Sequence, residues 1–277
     1  MDEKVCVVTG ANAGIGRATA LGLAQYGATV IMVCRNQERG AAAQAEIRSQ
    51  SDNDKVDLLI ADLSVQADIR RLAARIDQRY SRLDVLINNA GIIPQQRRET
   101  ADHLEMQFAV NHLAYFLLTL LLLDKLKASA PARIVNVASQ VHANGTIDFT
   151  DLQAERSYQP SHIYNNTKLA NVLFTYELAR RLAGSGVTVN CLHPGVVATN
   201  LLNDFMGVPR ERRDRGIATQ EGAQTSLYLA TSPEVEGVSG RYFVNSEAVR
   251  SAAVSYDEAL AARLWQVSAE LTGLATN

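Results

Sequence analysis

The chain predicts an α/β fold: a single domain on a doubly wound parallel sheet of about seven strands, with helices on both faces. Three observations carry that expectation. Short runs rich in β-branched residues alternate with longer segments of helical period, the pattern of successive βαβ units. Most of these short runs are near-continuously apolar, as strands must be when helices cover both of their sides. The 277 residues, 47% of them hydrophobic, supply an ample core, and no Pro/Ser-rich linker, charge block or internal repeat divides it.

Taken in order, strands are expected at 5–9, 29–34, 56–60, 85–88, 133–137, 188–192 and 242–244, and helices at 16–26, 37–49, 65–80, 101–126, 163–183 and 220–230. The most apolar stretch, 113–123 (LAYFLLTLLLL), is stopped by Asp124. It falls well short of the roughly 18 residues that span a bilayer, so a buried helix is expected. The sequence opens Met1-Asp2-Glu3-Lys4 and enters the first strand at once, leaving no room for a secretory leader; a cytoplasmic location is expected. Near the end, Ser255-Tyr256-Asp257-Glu258 has capping-box spacing, and Leu260, Leu264, Val267, Leu271 and Leu274 follow at 4-3-4-3 intervals. A helix over 255–274 is predicted, its stripe packed on its own domain or, alternatively, on another subunit.

With 27 basic and 29 acidic residues the formal charge is -2, so no global field draws nucleic acid or an anionic membrane. A small-molecule partner is the expectation. Cys6, Cys34 and Cys191 each fall in a predicted buried strand and read as reduced core residues. No Cys/His pattern has zinc spacing; His193 follows Cys191 by two positions, but nothing nearby completes a ligand set, and no metal is expected.

Gly10, Gly14 and Gly16, within Thr9-Gly10-Ala11-Asn12-Ala13-Gly14-Ile15-Gly16, lie where the first strand meets the first helix. Missing side chains there let the backbone turn tightly and approach a pyrophosphate, which the helix N-terminus then faces. A glycine cluster alone is equally a steric turn; its place between strand and helix makes it a candidate dinucleotide cradle of Rossmann type. Folds that bind NAD place an acid at the end of the second strand to hold the ribose 2′-hydroxyl. Here 27–37 holds no acid, and that end reads Val33-Cys34-Arg35-Asn36. Arg35, with Arg17 as a second cation, suits a 2′-phosphate, so NADP(H) is the expected form.

Tyr164 and Lys168 are spaced i and i+4 and share one helix face. A phenol of pKa about 10 exchanges its proton poorly at neutral pH; an adjacent ammonium and a cationic oxidised nicotinamide would favour the phenolate, making Tyr164 a usable acid and base. A YxxxK pair alone is an ordinary helix face. Ser139, in Val137-Ala138-Ser139 after the fifth predicted strand, changes that reading. A serine near His142 and His162 raises the question of a hydrolase, but Ala138-Ser139-Gln140 lacks the glycines of a nucleophile elbow. Both histidines are expected in loops, and His193 is expected to be structural.

This succession resembles the short-chain dehydrogenase/reductase family, whose TGxxxGxG is Thr9 to Gly16 as it stands here. The resemblance runs over 5–244. It implies cofactor contacts from Gly10, Asn12, Ala13, Gly14, Ile15, Gly16, Arg17 and Arg35, and from Asp62 and Leu63 at the adenine. Asn88-Asn89-Ala90-Gly91 matches the family's NNAG, so Asn89, Ala90 and Gly91 would shape the loop beside the cofactor. In this pattern Ser139 holds the substrate oxygen, Tyr164 exchanges its proton, and Lys168 binds the nicotinamide ribose while tuning the tyrosine. Asn111, in Phe108-Ala109-Val110-Asn111, would support a proton-relay water. His193-Pro194-Gly195-Val196-Val197-Ala198-Thr199 resembles the family's PG loop, with Pro194, Gly195, Val196 and Thr199 around the nicotinamide. Cys34-Arg35-Asn36, the stretch 164–182 and the stretch 192–199 are most similar to the retinol dehydrogenase and protochlorophyllide reductase-like branch, in the main NADP(H)-linked.

The resemblance thus implies an NADP(H)-dependent oxidoreductase, a reductase of a ketone or aldehyde of lipophilic character. A non-catalytic NADP(H)-binding sensor or scaffold, and a C=C reductase of the protochlorophyllide kind, are the alternatives. The filled set Asn111, Ser139, Tyr164 and Lys168 favours a catalyst. Substrate walls are expected at 140–163 and 200–219; in the latter, Leu201, Leu202, Phe205, Met206 and Val208, before a charged run, line a mobile lid over an apolar substrate or, alternatively, pack that segment against its own domain with the charges in water. Family habit implies a homodimer or homotetramer, with 101–126 and 163–183 as contact helices.

Overall fold

The computed structural model describes residues 1–197 and 218–275. Among these, eight strands form one sheet: β1 (Val5–Thr9), β2 (Thr29–Cys34), β3 (Val56–Ile60), β4 (Val85–Asn88), β5 (Ala132–Val137), β6 (Val187–His193), β7 (Tyr242–Val244) and β8 (Glu247–Val249). Their order is β3-β2-β1-β4-β5-β6-β7-β8, and every pairing is parallel except β7 with β8. The order therefore reverses between β1 and β4, which opens a crevice beyond their carboxyl ends.

Alternate residues of each strand feed opposite layers, as the period of two demands. Val7, Ile31, Val33, Leu59, Leu86 and Ile134 face α3 (Gln66–Arg79), α5 (Ala114–Leu121) and α7 (Pro160–Arg181). Cys6, Val8, Val30, Met32, Ile87 and Val135 face α1 (Gly14–Gln25), α2 (Gln37–Ser51) and α8 (Thr219–Thr231). The three cysteines are buried and free, as expected.

Seven strands lie where the sequence puts them; β8 is additional. It is short and solvent-exposed, so it carries little apolar signal. Its one cue is Asn245-Ser246, both with positive φ (51° and 64°), which forms the two-residue turn of a hairpin.

The predicted helix 101–126 is corrected to a broken run. It starts at α4 (Met106–Phe108), because the Glu105 carboxylate caps it, accepting from the Gln107 and Phe108 amides at 2.8 and 2.7 Å. A π-turn follows at Ala109–Leu113, then α5, then α6 (Leu123–Ala128). The apolar stretch 113–123 is buried within this run, and no helix among the described residues is long and apolar enough to cross a membrane.

The C-terminal helix, α9 (Glu258–Thr272), is capped by Asp257, which accepts from the Leu260 amide, and not by Ser255. Its most buried face, Ala261, Leu264, Trp265, Ser268, Ala269 and Thr272, shares Leu264 with the predicted stripe, and Leu260, Leu271 and Leu274 of that stripe are partly buried against the core of the same chain. Trp265 meets Phe116 of α5 and Phe174 of α7 at ring-centroid distances of 4.9 and 5.9 Å, with the Arg181 guanidinium 4.2 Å from its ring. Burying such a side chain contributes about 2–3 kcal/mol. The predicted contact helices therefore already spend these faces on their own C-terminus.

Candidate active site

The carboxyl ends of β1 and β4 are locked together by one threonine. Thr9 Oγ1 accepts from the Asn89 and Ala90 amides at 2.8 and 3.0 Å, and Asn89 Nδ2 donates to Thr9 O at 2.7 Å. Gly10 turns at φ +68°, and a Cβ at Gly16 would stand 2.4 Å from both Asn89 Nδ2 and Gly10 O. No side chain larger than hydrogen fits at 16. The helix that follows, α1, has no side-chain cap and no acid in its first turn. Its first amides thus point into the crevice at the switch point, where an anionic group can accept from them. Glycines that admit no Cβ, with an uncapped helix N-terminus behind them, fit a dinucleotide pyrophosphate.

Around this cradle, Arg35 is exposed at the end of β2, and Asn36 Oδ1 caps α2 through the Arg39 amide at 2.8 Å. Arg17, the second cation expected there, pairs its guanidinium with Glu46 of α2 at 2.5 Å. Asp62 follows β3, and its Oδ1 accepts from the Ser64 amide and hydroxyl at 2.9 and 2.7 Å, fixing the turn. Leu63 packs partly buried against the core beside it. Tyr115 reaches from α5 to donate to Ala90 O at 2.9 Å, tying down the Asn89-Ala90-Gly91 turn. Gly195 turns at φ +84°, and the PG loop sits against α8, where a Cβ at Gly222 would meet Val197 Cγ2 at 2.4 Å. Thr199 and nearly all of the predicted lid lie outside the described residues.

Tyr164 and Lys168 share one face of α7 as their spacing predicts, both deeply buried at 8% and 2% exposure. Lys168 Nζ lies 5.3 Å from the Tyr164 ring centroid and 5.9 Å from that of Tyr115, and donates to Val137 O at 2.9 Å. That carbonyl belongs to β5, two residues before Ser139. The phenol, the ammonium and the serine main chain are thereby brought to one place. Burial pushes Tyr164 well above the ordinary phenol range and Lys168 down to about 7, because neither charge is welcome alone in a dry site. Tyr164 therefore holds its proton at neutral pH, the state an acid requires.

Ser139 is half-buried and opens the 3-10 turn Gln140–Asn144, with Oγ accepting weakly from the Val141 amide at 3.4 Å. A Cβ at Gly145 would meet Asn165 O at 2.5 Å, so this segment lies directly against α7 beside Tyr164. Asn111 sits in the π-turn. Its amide is committed to the Ile92 backbone, accepting at 2.9 Å and donating at 3.0 Å, while its carbonyl accepts from Asn171 Nδ2 at 2.9 Å. A relay through Asn111 would thus share that carbonyl with Asn171.

Several buried polar side chains make contacts that the sequence does not announce. Asn171 pairs with Asn111 and also receives His112 Nδ1 at 3.3 Å, while His112 Nε2 accepts from Ser268 of α9 at 2.9 Å. Asn88 and Asn136 pair across β4 and β5 at 2.9 Å beneath the site. His142, expected in a loop, is 3% exposed and bonded at both nitrogens; His162 is exposed and lies in the first turn of α7. Their only sequence signal was a polar residue amid apolar neighbours. Separately, a groove of about 640 Å³, lined by Lys4, Asp84, Arg133 and Ala183 among others, opens at the amino ends of the strands, the end where open parallel sheets do not do chemistry.

A glycine-lined cradle at the switch point, with a phenol and an amine buried across from it, defines a Rossmann-type oxidoreductase that uses a nicotinamide dinucleotide. The family model described as short chain dehydrogenase matches residues 4–206, and the chain belongs to that family, in its retinol dehydrogenase-like branch. It is 45% identical to retinol dehydrogenase 14 of Homo sapiens, covering 99% of this chain and 88% of that one. It is 47% identical to retinol dehydrogenase 11 of Homo sapiens, covering 98% and 86%. Among solved structures, an uncharacterized protein from Mycobacterium paratuberculosis superposes with a TM-score of 0.81 at 34% identity, covering all of this chain and 96% of that one. A short chain dehydrogenase from Escherichia coli CFT073, complexed with NADPH, gives 0.74 at 25% identity, covering 89% and 98%.

Proposed function

We propose that the chain is an NADP(H)-dependent reductase of a lipophilic aldehyde or ketone, with retinaldehyde the first substrate to test. The observation that carries this reading is the burial of the Tyr164 phenol beside Lys168, whose Nζ donates to Val137 O at the end of β5, two residues before Ser139. Relatives that bear retinol in their names support the lipophilic substrate, and a neighbour complexed with NADPH, together with Arg35 at the end of β2, supports the phosphorylated cofactor.

The dinucleotide, when bound, supplies a hydride to the carbonyl carbon and is itself oxidised. Ser139 Oγ holds the carbonyl oxygen, and Tyr164 gives that oxygen its proton, so that C=O becomes CH–OH. Lys168 lowers the cost of the phenolate left behind, because an ammonium and a phenolate in a dry site stabilise each other where each alone is penalised. Asn111 holds the loop after β4 in place through Ile92 and keeps the π-turn carbonyl near the lysine side of α7.

Tyr164→Phe removes the proton and little else. Turnover of retinaldehyde with NADPH, followed by absorbance, should fall by about a thousandfold, while the NADPH Kd from fluorescence titration stays within about threefold. Retained turnover excludes Tyr164 as the acid. A product reduced at a C=C bond in place of the carbonyl overturns the assigned reaction.

A further inference from the structure

We propose that His142 is the positioning residue for Ser139, clamping the serine's main chain to an anchor that the C-terminal segment builds on α7. This rests on the reading above, in which Ser139 holds the substrate oxygen.

The Ser139 hydroxyl is poorly restrained by its own turn, its contact with the Val141 amide being 3.4 Å. Its direction must come from the main chain. On one side that chain is held at Val137 O by Lys168 Nζ. On the other, Ser139 O accepts from His142 Nδ1 at 2.7 Å and from the His142 amide at 3.1 Å.

The far nitrogen of the ring is equally committed. His142 Nε2 accepts from the Ala252 amide at 3.1 Å. A carbonyl can only accept and an amide N–H can only donate, so the ring is neutral with its proton on Nδ1. Burial pushes His142 below the ordinary histidine range, in keeping with that neutral form. The groups around it add no charge that would reverse this: the Tyr242 ring of β7 is 4.8 Å away, and His193 of β6, also buried, is held down to about 4.

Ala252 is itself fixed. Its carbonyl accepts from the Ser255 hydroxyl and amide at 2.5 and 3.0 Å, and Ser255 Oγ bonds Ser251 Oγ at 2.7 Å. Ser251 Oγ then meets Tyr176 OH at 2.6 Å, and Tyr176 stands on α7, the helix of Tyr164 and Lys168. A closed circuit runs from α7 through Tyr176, Ser251, Ser255, Ala252 and His142 to Ser139, then back through Val137 and Lys168 to α7. A residue that merely filled space would not need two bonds of opposite polarity.

Three substitutions separate the two bonds. His142→Asn keeps a donor near the Nδ1 position, His142→Gln keeps a polar group near the Nε2 position, and His142→Phe keeps neither. Each is assayed with retinaldehyde and NADPH beside Tyr164→Phe. The Phe and Gln variants should lose about ten- to a hundredfold in kcat, since a displaced positioning group acts on the reacting geometry. The Asn variant should recover most of that loss, and the NADPH Kd should stay within about twofold in all three. Equal kcat for Asn and Gln, or a Phe variant within about twofold of the parent protein, overturns the proposal. If the Phe variant does not fold, the contrast of Asn with Gln decides. Nitrogen-15 chemical shifts of His142 in the unsubstituted protein give a readout free of turnover: a proton on Nε2 overturns the clamp. Activity surviving in Tyr164→Phe sinks the parent reading instead; activity lost there but kept in His142→Phe sinks only the clamp.

Discussion

The nucleotide side and the catalytic side of this sheet are built by opposite means. Around β1, α1 and the turn after β4, shape comes from backbone, with Gly10 turned at φ +68° and Gly16 pressed between Gly10 O and Asn89. Around β5, α7 and β6, shape comes from buried side chains that bond across long stretches of chain: Asn111 to Asn171, His112 to Ser268, His142 to Ala252. A backbone-built site fails when an atom is added; a side-chain network fails when one is removed. The first kind of failure is abrupt, and the second is graded over many bonds.

The largest expected effect tests the first kind. Gly16→Val puts three carbons where a single Cβ already falls at 2.4 Å, so NADPH affinity should drop by on the order of a hundredfold or more, measured by fluorescence titration. A change of less than about threefold would mean that the cradle yields like the network.

Acid should find the second kind first. His112 and His193 are pushed from 6.5 to about 4 by burial, so the folded state favours their neutral forms. The stability this represents is fully present above pH 6.5 and is lost as pH falls from there to about 4, roughly 3 kcal/mol for each residue at 1.36 kcal/mol per pKa unit. Urea unfolding at a series of pH values should show that decline, and His112→Gln should roughly halve it, leaving the share of His193.

Somewhat smaller is the removal of one bridge. Asn171→Ala strands the Asn111 carbonyl and one His112 nitrogen, which should cost about 2–3 kcal/mol in urea unfolding while the NADPH Kd holds. A cost below about 0.5 kcal/mol would show the network to be redundant.

The smallest effect lies at the cradle rim. Glu46 engages Arg17, and both side chains are about two-fifths exposed, at 40% and 44%. Such a pair is weak, so Glu46→Gln should tighten NADPH by about two- to threefold at low salt, leave NADH unchanged, and lose its effect at high salt.

The same contrast explains what was legible beforehand. The strands were found because an apolar run flanked by helices has few other fates, and the cradle because glycine alone tolerates its turns. The i,i+4 spacing alone places Tyr164 and Lys168 on one face of α7. Helix 101–126 was misjudged because apolar composition reports burial and not a start; the Glu105 carboxylate sets the start. Ser255 has the spacing of a cap, yet its hydroxyl is spent on Ser251 and Ala252, leaving Asp257 to cap α9. His142 lies in the connection after β5 that the sequence predicts, but its burial is not legible there because its partner, Ala252, lies 110 positions away.

By itself, then, the sequence determined the succession of most strands and helices, the glycine turn and the shared face of Tyr164 and Lys168, each fixed by sterics or helical period over a few neighbouring residues. Tertiary structure alone decided that α9 covers α5 and α7, that Arg17 is held by Glu46, and that Ser139 is clamped between Lys168 and His142. Those depend on which distant polar groups find one another once water has been excluded, and no local pattern encodes that pairing.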